Sequence, residues 1–295
     1  AISAGGEHTC ALLSNGEVKC WGKNTSGQLG DGTKQLQSYP VIVAGLTNAV
    51  AISAGGEHTC AILKDGKAKC WGKNLDGRVG DGSNTRLILS PIDVAGLTDS
   101  LVLISAGYEH TCAVTSPGSI KCWGKNDMGQ VGDDTTRNRK IATDVIALDS
   151  GIKSVSTGYA TSCVATEYKN VLCWGWIGHQ DYYTSPQEVA GLESDIVAVA
   201  AGASHICGLT SDGIVKCLGD NEYGQLGSGG TNPLYSAKNV NGLGRVISLS
   251  AGFNHTCALL DNGKIFCWGQ NVAGALGNGT DTDSSTPVEV IGLIE

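Results

Sequence analysis

The cysteines of this chain come in six pairs, and each pair has nine residues between its two members. The pairs are Cys10 with Cys20, Cys60 with Cys70, Cys112 with Cys122, Cys163 with Cys173, Cys207 with Cys217 and Cys257 with Cys267, and no cysteine is left over. Successive pairs recur every 44 to 52 residues, and the intervening sequence has no helical periodicity. Self-similarity at this period predicts a propeller or a related array of repeated sheets.

Each repeat contains four short strand-like segments, which in the first repeat are 1–4, 8–13, 18–21 and 39–43. The turn signal Asn15-Gly16 separates the second segment from the third, as in a tight hairpin. Six such units predict an all-β fold, a six-bladed β-propeller with four antiparallel strands per blade, forming one domain over 1–295. The blades are expected at approximately 1–50, 51–102, 103–153, 154–197, 198–247 and 248–295. The small first strand suits the crowded centre, and the fourth strand, which carries proline, suits the outer edge.

The constant cysteine spacing predicts one disulfide in each blade. In a hairpin centred on Asn15, Cys10 lies directly opposite Cys20, and opposed residues have Cα atoms about 4.5–5.5 Å apart. This separation overlaps the range that a disulfide requires. Buried free thiols and a zinc site are the alternatives. Paired cysteines are typical of oxidising compartments, so we expect a secreted protein, extracellular or at the cell surface.

Charge and hydropathy exclude several classes of protein. The formal net charge is −8, and the most basic stretch is the short segment 137–140, which argues against a nucleic-acid partner. No apolar run reaches 18 residues, so no membrane span is expected. The chain starts in phase with the repeat and without Met, which is typical of a processed or trimmed chain; whether it is part of a larger protein stays open. Sequons occur at Asn24, Asn254 and Asn278.

The repeat resembles a known family. The motif runs Ser3-Ala4-Gly5, His8-Thr9-Cys10-Ala11-Leu12, Cys20-Trp21-Gly22 and Gly27-Gln28-Leu29-Gly30, and its Gly-x-Leu/Val-Gly element returns at 77–80, 129–132, 224–227 and 274–277. This pattern is similar to the repeat of the regulator of chromosome condensation, in a secreted, cysteine-paired variant. The resemblance implies a propeller with four-stranded blades. The founding member is a nuclear exchange factor with seven blades and a basic tail, so neither nucleotide exchange nor chromatin binding is carried over.

Two sets of repeated side chains are expected to be structural. Five histidines precede a cysteine by two residues, and we expect each imidazole to hydrogen-bond backbone within its own blade. They are His8, His58, His110, His205 and His255, with Thr161 in the fourth repeat. Glu7, Glu57 and Glu109 precede histidines and are expected to be solvated loop charges. Aromatic residues at one position are expected to form the core between blades, namely Trp21, Trp71, Trp123, Trp174 and Trp268, with Leu218 in the fifth repeat.

The fourth repeat departs most from the pattern. Its Gly-x-Leu-Gly element is replaced by the aromatic segment 174–183. Aromatic side chains anchor many protein contacts, so Trp176, His179, Tyr182 and Tyr183 are predicted partner-binding residues. The alternative is that these aromatics only fill the space left by the missing loop.

Ring closure is less constrained by the sequence. The first strand of repeat one and the last strand of repeat six, 286–291, are each complete in their own repeat. The ring then closes through side-chain packing between blades 1 and 6, or the seam contacts another chain.

The function expected is a non-catalytic, extracellular protein-binding or scaffold propeller, with a protein partner or copies of itself. A structural protein that self-assembles into a filament or surface layer is the alternative, and a carbohydrate-binding propeller is a further one. No catalytic constellation, cofactor or metal site is predicted.

Overall fold

The computed structural model describes residues 1–178 and 182–293 as six consecutive four-stranded antiparallel sheets, which confirms the predicted six-bladed propeller. Blades 1 to 3 contain β1 (Ile2–Ala4), β2 (His8–Leu12), β3 (Val18–Gly22), β4 (Gln37–Ile42), β5 (Ala49–Ala54), β6 (His58–Leu63), β7 (Ala68–Lys73), β8 (Leu87–Asp93), β9 (Leu101–Ala106), β10 (His110–Thr115), β11 (Ile120–Gly124) and β12 (Arg139–Asp144). Blades 4 to 6 contain β13 (Ile152–Thr157), β14 (Thr161–Thr166), β15 (Val171–Trp176), β16 (Tyr182–Glu188), β17 (Ile196–Ala201), β18 (His205–Thr210), β19 (Val215–Gly219), β20 (Leu234–Asn239), β21 (Val246–Ala251), β22 (His255–Leu260), β23 (Ile265–Gly269) and β24 (Ser284–Glu289).

A short 3-10 turn, Val272–Gly274, follows β23. In the two described stretches no helix has the length and apolarity needed to cross a bilayer.

Within each blade the strands follow one another in chain order. The first strands of several blades line a central cavity of about 410 Å³. The fourth strands form the outer edge and carry Pro40, Pro91, Pro186 and Pro287. Proline is tolerated there because an edge strand leaves one row of N–H groups outside the ladder. We call the end of the propeller that carries the β1–β2 and β3–β4 connections, and their equivalents, the loop face, and the opposite end the turn face.

The hairpin register agrees with the prediction from cysteine spacing. Cys10 pairs with Cys20, and Leu12 pairs with Val18, around a turn in which Gly16 has φ 82°. A positive φ is readily adopted only by glycine, which explains the turn signal.

All six predicted disulfides are present, one within each blade, so the alternatives of free thiols and a zinc site are wrong for these cysteines. The bonded pairs, with Cα–Cα separations of 4.1–4.2 Å, are Cys10 and Cys20, Cys60 and Cys70, Cys112 and Cys122, Cys163 and Cys173, Cys207 and Cys217, and Cys257 and Cys267. These separations lie slightly below the range expected from strand pairing. All of these cysteines are buried except Cys257 in blade 6, which is partly exposed.

Neighbouring blades are joined by a chain of buried hydrogen bonds. His8 Nε2 lies 2.8 Å from Thr59 Oγ1 of the next blade, and that hydroxyl donates to the carbonyl oxygen of Gln28 at 2.8 Å. Trp71 Nε1 donates to the same carbonyl at 2.9 Å. Since the hydroxyl proton of Thr59 is already directed at Gln28, the imidazole must donate, which assigns its proton to Nε2. We call this set of four residues the interblade joint.

The complete joint recurs at the next two interfaces, where Trp123 and Trp174 repeat the indole bond. Between blades 5 and 6 only its histidine–hydroxyl part recurs, because Trp268 Nε1 has no hydrogen-bond partner among the described residues. At these three interfaces the histidine and hydroxyl members are His58 and Thr111, His110 and Ser162, and His205 and Thr256, at 2.8, 2.8 and 2.9 Å. The expectation that each histidine bonds backbone within its own blade was therefore wrong. The physical reason is that strand pairing already uses the backbone groups of the hairpin, whereas the buried hydroxyl of the next blade still requires a donor.

The interface between blades 4 and 5 replaces the joint by apolar contacts. Thr161 stands in place of the histidine, Ile206 in place of the hydroxyl residue and Leu218 in place of tryptophan. Ile206 and Leu218 are buried in one cluster, and Ile177 from the altered loop packs against it. These departures lie in two different repeats of the sequence, yet they all belong to this single interface.

Blades 6 and 1 are not joined in this way. Trp71, Trp123, Trp174 and Trp268 are fully buried between blades, as predicted, but Trp21 is only half-buried. Five apolar clusters each connect consecutive blades, and over 1–178 and 182–293 no such cluster connects blade 6 with blade 1. We call the surfaces of blades 6 and 1 at the two ends of the array the seam. Of the two expected alternatives, closure by packing between blades 1 and 6 and contact of the seam with another chain, neither is decided by these clusters.

The joint predicts a position-dependent cost for one conservative substitution. Thr111→Val should lower the free energy of unfolding by about 1–3 kcal/mol, because it leaves the buried Nε2–H of His58 without an acceptor. The Arg78 carbonyl loses one donor but keeps the indole N–H of Trp123. Thr9→Val is the matched control, since Thr9 occupies the same position in blade 1 beside the seam; it should change stability by less than about 0.5 kcal/mol. Urea unfolding measures both. Equal costs for the two variants would contradict the role of the joint.

The joint also predicts acid sensitivity. Burial lowers the pKa of His8 to about 4 and that of His110 and His205 to about 3, against 6.5 for an exposed imidazole. Below pH 6.5 the unfolded chain therefore binds more protons than the folded chain, and stability falls as pH falls from about 6.5 toward 4. Each histidine contributes about 1.4 kcal/mol per pH unit in this window.

Urea unfolding at pH 7 and pH 5 measures this dependence. His58→Gln is the matched variant, because glutamine keeps a donor for Thr111 and does not titrate. The change of its unfolding free energy with pH should correspond to the uptake of about one proton fewer on unfolding. Stability that is equal at pH 7 and pH 5 would contradict the assignment of neutral, buried imidazoles.

Candidate functional site

Three aromatic side chains meet at the mouth of the central channel on the loop face. Tyr108, Tyr159 and Phe253 occupy the same position in blades 3, 4 and 6, in the loop between the first and second strands. The ring centroids of Tyr108 and Tyr159 are 4.8 Å apart, and Phe253 lies 5.6 Å from Tyr159 and 6.2 Å from Tyr108. We call this set the aromatic cluster.

The propeller geometry brings the aromatic cluster together. The loops between first and second strands stand nearest the axis, so residues from non-adjacent blades can touch across the channel mouth. The equivalent positions in blades 1, 2 and 5 are Gly6, Gly56 and Ala203, which leave room for the rings. The three aromatic residues remain 37–53% exposed, although they pack against one another. An exposed apolar cluster of this kind is a candidate contact surface.

Ion pairs surround the aromatic cluster on the side of blades 1 to 3. Arg78 is 1% exposed along its side chain and bonds Asp76 at 2.9 Å and Glu109 at 3.0 Å. Lys125 also reaches Glu109, at 2.7 Å. Lys23 pairs with Glu7, and Lys73 pairs with Glu57. These contacts hold the charged groups in fixed positions on the loop face.

Two of these carboxylates are more buried than the sequence suggested. The side chains of Glu57 and Glu109 are 22% and 18% exposed, so the expectation of solvated loop charges was wrong for both. Burial alone would raise the pKa of Glu57, but hydrogen bonding and charge from Lys73 outweigh it and hold that pKa below the usual value. Lys125 and Arg78 do the same for the pKa of Glu109. Both carboxylates therefore stay ionised at neutral pH, and the lysines neutralise them.

The other half of the loop face lacks these glutamate–lysine pairs. Where blades 1 to 3 place a glutamate and a lysine, blade 4 has Ala160 and Trp176, and blade 6 has Asn254 and Gln270. The amide of Asn254 donates to Gln270 Oε1 at 3.1 Å. Blade 5 has Ser204 and Asp220 at these positions. The aromatic cluster thus lies between the ion pairs of blades 1 to 3 and a half of the same surface that has no such pair.

A pocket of about 260 Å³ opens between blades 3 and 4, next to the aromatic cluster. Its wall includes Tyr159, Trp176 and Met128, together with the charged residues Glu109 and Lys125. Apolar walls with a few polar groups at the rim are typical of pockets that receive a side chain or a small ligand.

The predicted blade 4 residues fall in two places. Trp176 lines the pocket, and it is paired across the sheet with Tyr182, which is 48% exposed on the outer strand. Tyr183 is 39% exposed and pairs with Gly175. His179 lies outside the described residues. The prediction that these residues bind a partner stays a prediction.

Sequence reasoning missed the aromatic cluster itself. Its members are far apart in the chain, and glycine or alanine stands at the same position in three blades, so no repeated pattern marks them. A comparison of the six repeats at that single position would have found them. Of the sequons, Asn24 has a fully buried side chain that accepts from Leu29 N at 3.0 Å, so it is not accessible for glycosylation in the folded protein.

The central channel is lined by serines that join blades. Ser53 Oγ accepts the backbone N–H of Ala106 at 2.9 Å, and Ser156 Oγ accepts that of Ala201 at 3.0 Å. These hydroxyls act as structural acceptors in the contact between first strands. Across the described ranges, no group of three or more His, Cys, Asp or Glu side chains is arranged to hold a metal ion.

Known proteins resemble this chain over most of its length. E3 ubiquitin-protein ligase HERC2 of Mus musculus is 31% identical over 82% of the chain, and the Ultraviolet-B receptor UVR8 of Arabidopsis thaliana is 30% identical over 77%. The chain spans only 5% and 54% of these relatives' lengths. The structure of Prp20p from Saccharomyces cerevisiae superposes with a TM-score of 0.86 at 21% identity, covering 99% of this chain and 77% of that one.

Models of the Regulator of chromosome condensation (RCC1) repeat match the chain directly. One matches residues 1–28, 49–78, 101–130, 196–225 and 246–275, and a second matches 15–62, 65–114, 212–259 and 262–295. Neither match includes 131–195, where the Gly-x-Leu-Gly loop of blade 4 is lost. The matched segments carry the histidine, hydroxyl and tryptophan residues of the interblade joint, and the chain belongs to the RCC1 repeat family.

Proposed function

We propose that this chain is a non-catalytic protein-binding propeller that engages its partner through the loop face. The observation that supports this most is the exposed aromatic cluster of Tyr108, Tyr159 and Phe253. Aromatic side chains dominate the energetically important centres of protein interfaces, because they bury large areas with few rotatable bonds.

The surroundings of the cluster favour a protein partner. The pocket beside Trp176 can receive one apolar or aromatic side chain of the partner, and Met128 gives its wall an adaptable surface. The ion pairs around Glu57 and Glu109 supply a polar rim with fixed geometry. A desolvated apolar centre within a polar rim is the usual anatomy of a protein interface.

Family membership agrees with a protein partner and leaves its identity open. Prp20p is described as binding Gsp1p and histones, and it shares the fold with this chain. The present chain has a formal net charge of −8 and lacks a long basic run, so histone-like basic proteins suit its charge better than nucleic acid does. We do not propose catalysis, because the channel serines serve as backbone acceptors and the buried histidines are used in the interblade joint.

Truncation of the aromatic cluster should abolish partner binding. A triple variant that combines Tyr108→Ala, Tyr159→Ala and Phe253→Ala should lose at least about 2 kcal/mol of binding free energy, because interface aromatics of this kind are hot spots. Partners captured from the native source by the parent chain are identified by mass spectrometry, and their affinities are then measured by calorimetry with purified proteins.

Tyr168→Ala is the matched control, because Tyr168 is 81% exposed on the turn face. It should bind like the parent chain, and thermal unfolding should show that the triple variant stays folded. Loss of binding in the control but not in the triple variant would indicate that the partner binds the turn face. Specific binding on a glycan array, or filaments of the purified chain, would favour the carbohydrate-binding or self-assembling alternatives instead.

We also propose that the protein works in an oxidising compartment, secreted or at the cell surface. Six disulfides leave no free cysteine among the described residues. Such complete pairing is rare where thiol reductants are abundant.

The redox state of the native protein tests this location. Material taken from its source under acid quench should gain no alkyl groups before reduction and 12 after reduction, matching the 12 cysteines. A sample that is reduced and then quenched controls for access of the reagent. Full alkylation before reduction would contradict both the location and the disulfides.

A further inference from the structure

The loop face has a second pocket, of about 440 Å³, between blades 5 and 6. Blade 5 supplies most of its wall, including Ser204 and residues of the connection between β19 and β20. Blade 6 supplies Asn254, which directly follows Phe253 of the aromatic cluster in the chain. We call this space the 5/6 pocket, and it therefore lies beside the aromatic cluster on the same surface.

Two carboxylates of the 5/6 pocket have no cation beside them. Asp220 and Glu222 both line the pocket, and neither forms an ion pair with another described residue. No lysine or arginine is found among the described residues of its wall. Since a concave surface with charges of one sign focuses the electric field, the 5/6 pocket attracts a cation more strongly than isolated surface carboxylates would.

The repeat shows where that cation would lie. In blade 3, Lys125 Nζ lies 2.7 Å from Glu109 and 3.4 Å from Asp127. Asp220 stands at the position of Lys125 in blade 5, and Glu222 stands at the position of Asp127. Blade 5 thus keeps the outer carboxylate that receives an ammonium group in blade 3, but it has a second carboxylate where blade 3 carries the ammonium itself.

A buried amide in the same pocket also points to a ligand. Gln225 lines the pocket and is 1% exposed. Its Oε1 accepts the backbone N–H of Tyr223 at 3.0 Å, but its Nε2 has no hydrogen-bond partner in the described part of the chain. The equivalent Nε2 of Gln130 in blade 3 donates to Asp127 at 3.4 Å. Because an unsatisfied buried N–H is costly, a ligand that brings an acceptor to Gln225 gains affinity.

These groups together select one kind of ligand. The carboxylates of Asp220 and Glu222 require a cation, whereas the amide of Gln225 requires an acceptor. A basic residue within a peptide supplies both, because its side chain is cationic and its backbone carries a carbonyl oxygen. A protonated polyamine has no acceptor, and a nucleic acid would bring its phosphates against two carboxylates.

We propose that the 5/6 pocket binds a lysine or arginine residue of the protein partner, with its charged group between Asp220 and Glu222 and a backbone carbonyl at Gln225. This inference rests on the proposed binding through the loop face and adds the chemistry of the partner. Because the 5/6 pocket adjoins the aromatic cluster, the partner carries a basic residue close to the apolar residue that covers Phe253.

An acetylated and amidated tri-arginine peptide tests the pocket by calorimetry, at about 0.15 M salt to screen exposed charges. Asp220→Asn combined with Glu222→Gln should weaken its binding at least about tenfold, because the cation loses both charged acceptors. The matched control combines Asp149→Asn with Glu167→Gln, which removes the same charge from exposed positions on the turn face. It should change the affinity by less than about twofold.

A second variant fills the 5/6 pocket from within. Ser204→Glu combined with Asp220→Lys reproduces in blade 5 the pair that Glu109 and Lys125 form in blade 3. The introduced ammonium group should occupy the pocket next to Glu222 and weaken peptide binding as much as the neutral variant does. Its thermal midpoint should not fall, which separates loss of the site from loss of the fold.

Several outcomes would overturn the inference. They are no binding of tri-arginine by the parent chain, equal weakening by the pocket and control variants, and equally tight binding of spermidine, which has the same charge but no acceptor for Gln225. The proposed function fails separately. Unchanged tri-arginine affinity in the pocket variants contradicts only the present inference, whereas a native partner that still binds the triple variant of the aromatic cluster contradicts the proposed function.

Discussion

The interblade joint is the interaction on which this structure depends. An imidazole of one blade donates to a hydroxyl of the next blade. That hydroxyl and an indole N–H both donate to one carbonyl oxygen of the first blade. A buried polar chain of this kind is costly unless every member is satisfied. The joint therefore permits few relative positions of two blades at the four interfaces that have it, and apolar packing takes its place between blades 4 and 5.

The same constraint places the candidate site. The joint and the serine contacts set the first strands around the axis, so the loops that precede the joint histidines converge at the channel mouth. Only there do Tyr108, Tyr159 and Phe253 come within ring contact. Blades 1 to 3 supply ion pairs next to them, and blades 4 and 6 supply neutral side chains. A rigid scaffold thus positions variable loop residues, which is how many repeat folds acquire specificity.

The fold followed from the sequence because it rests on local spacing. A constant interval between cysteines and a glycine turn determine a hairpin register, and the structure has that register in every blade. The contacts between blades depend on residues about one repeat apart, and the sequence gives no direct sign of which atoms meet. For this reason the predicted partner of each histidine was wrong. Thr161 and Leu218 were treated as unrelated departures, and the change at Ile206 was missed. The aromatic cluster was missed for the same reason.

All covalent cross-links in this protein lie inside single sheets, and within the described residues none connects one sheet to another. Under tension along the backbone, sheets can separate from one another without the rupture of any covalent bond. In each detached sheet, the residues between the two bonded cysteines then do not add to the length of the extended chain. Under mechanical force the blades should therefore unfold one after another. Each unfolded blade keeps a disulfide-closed hairpin, from which it can refold.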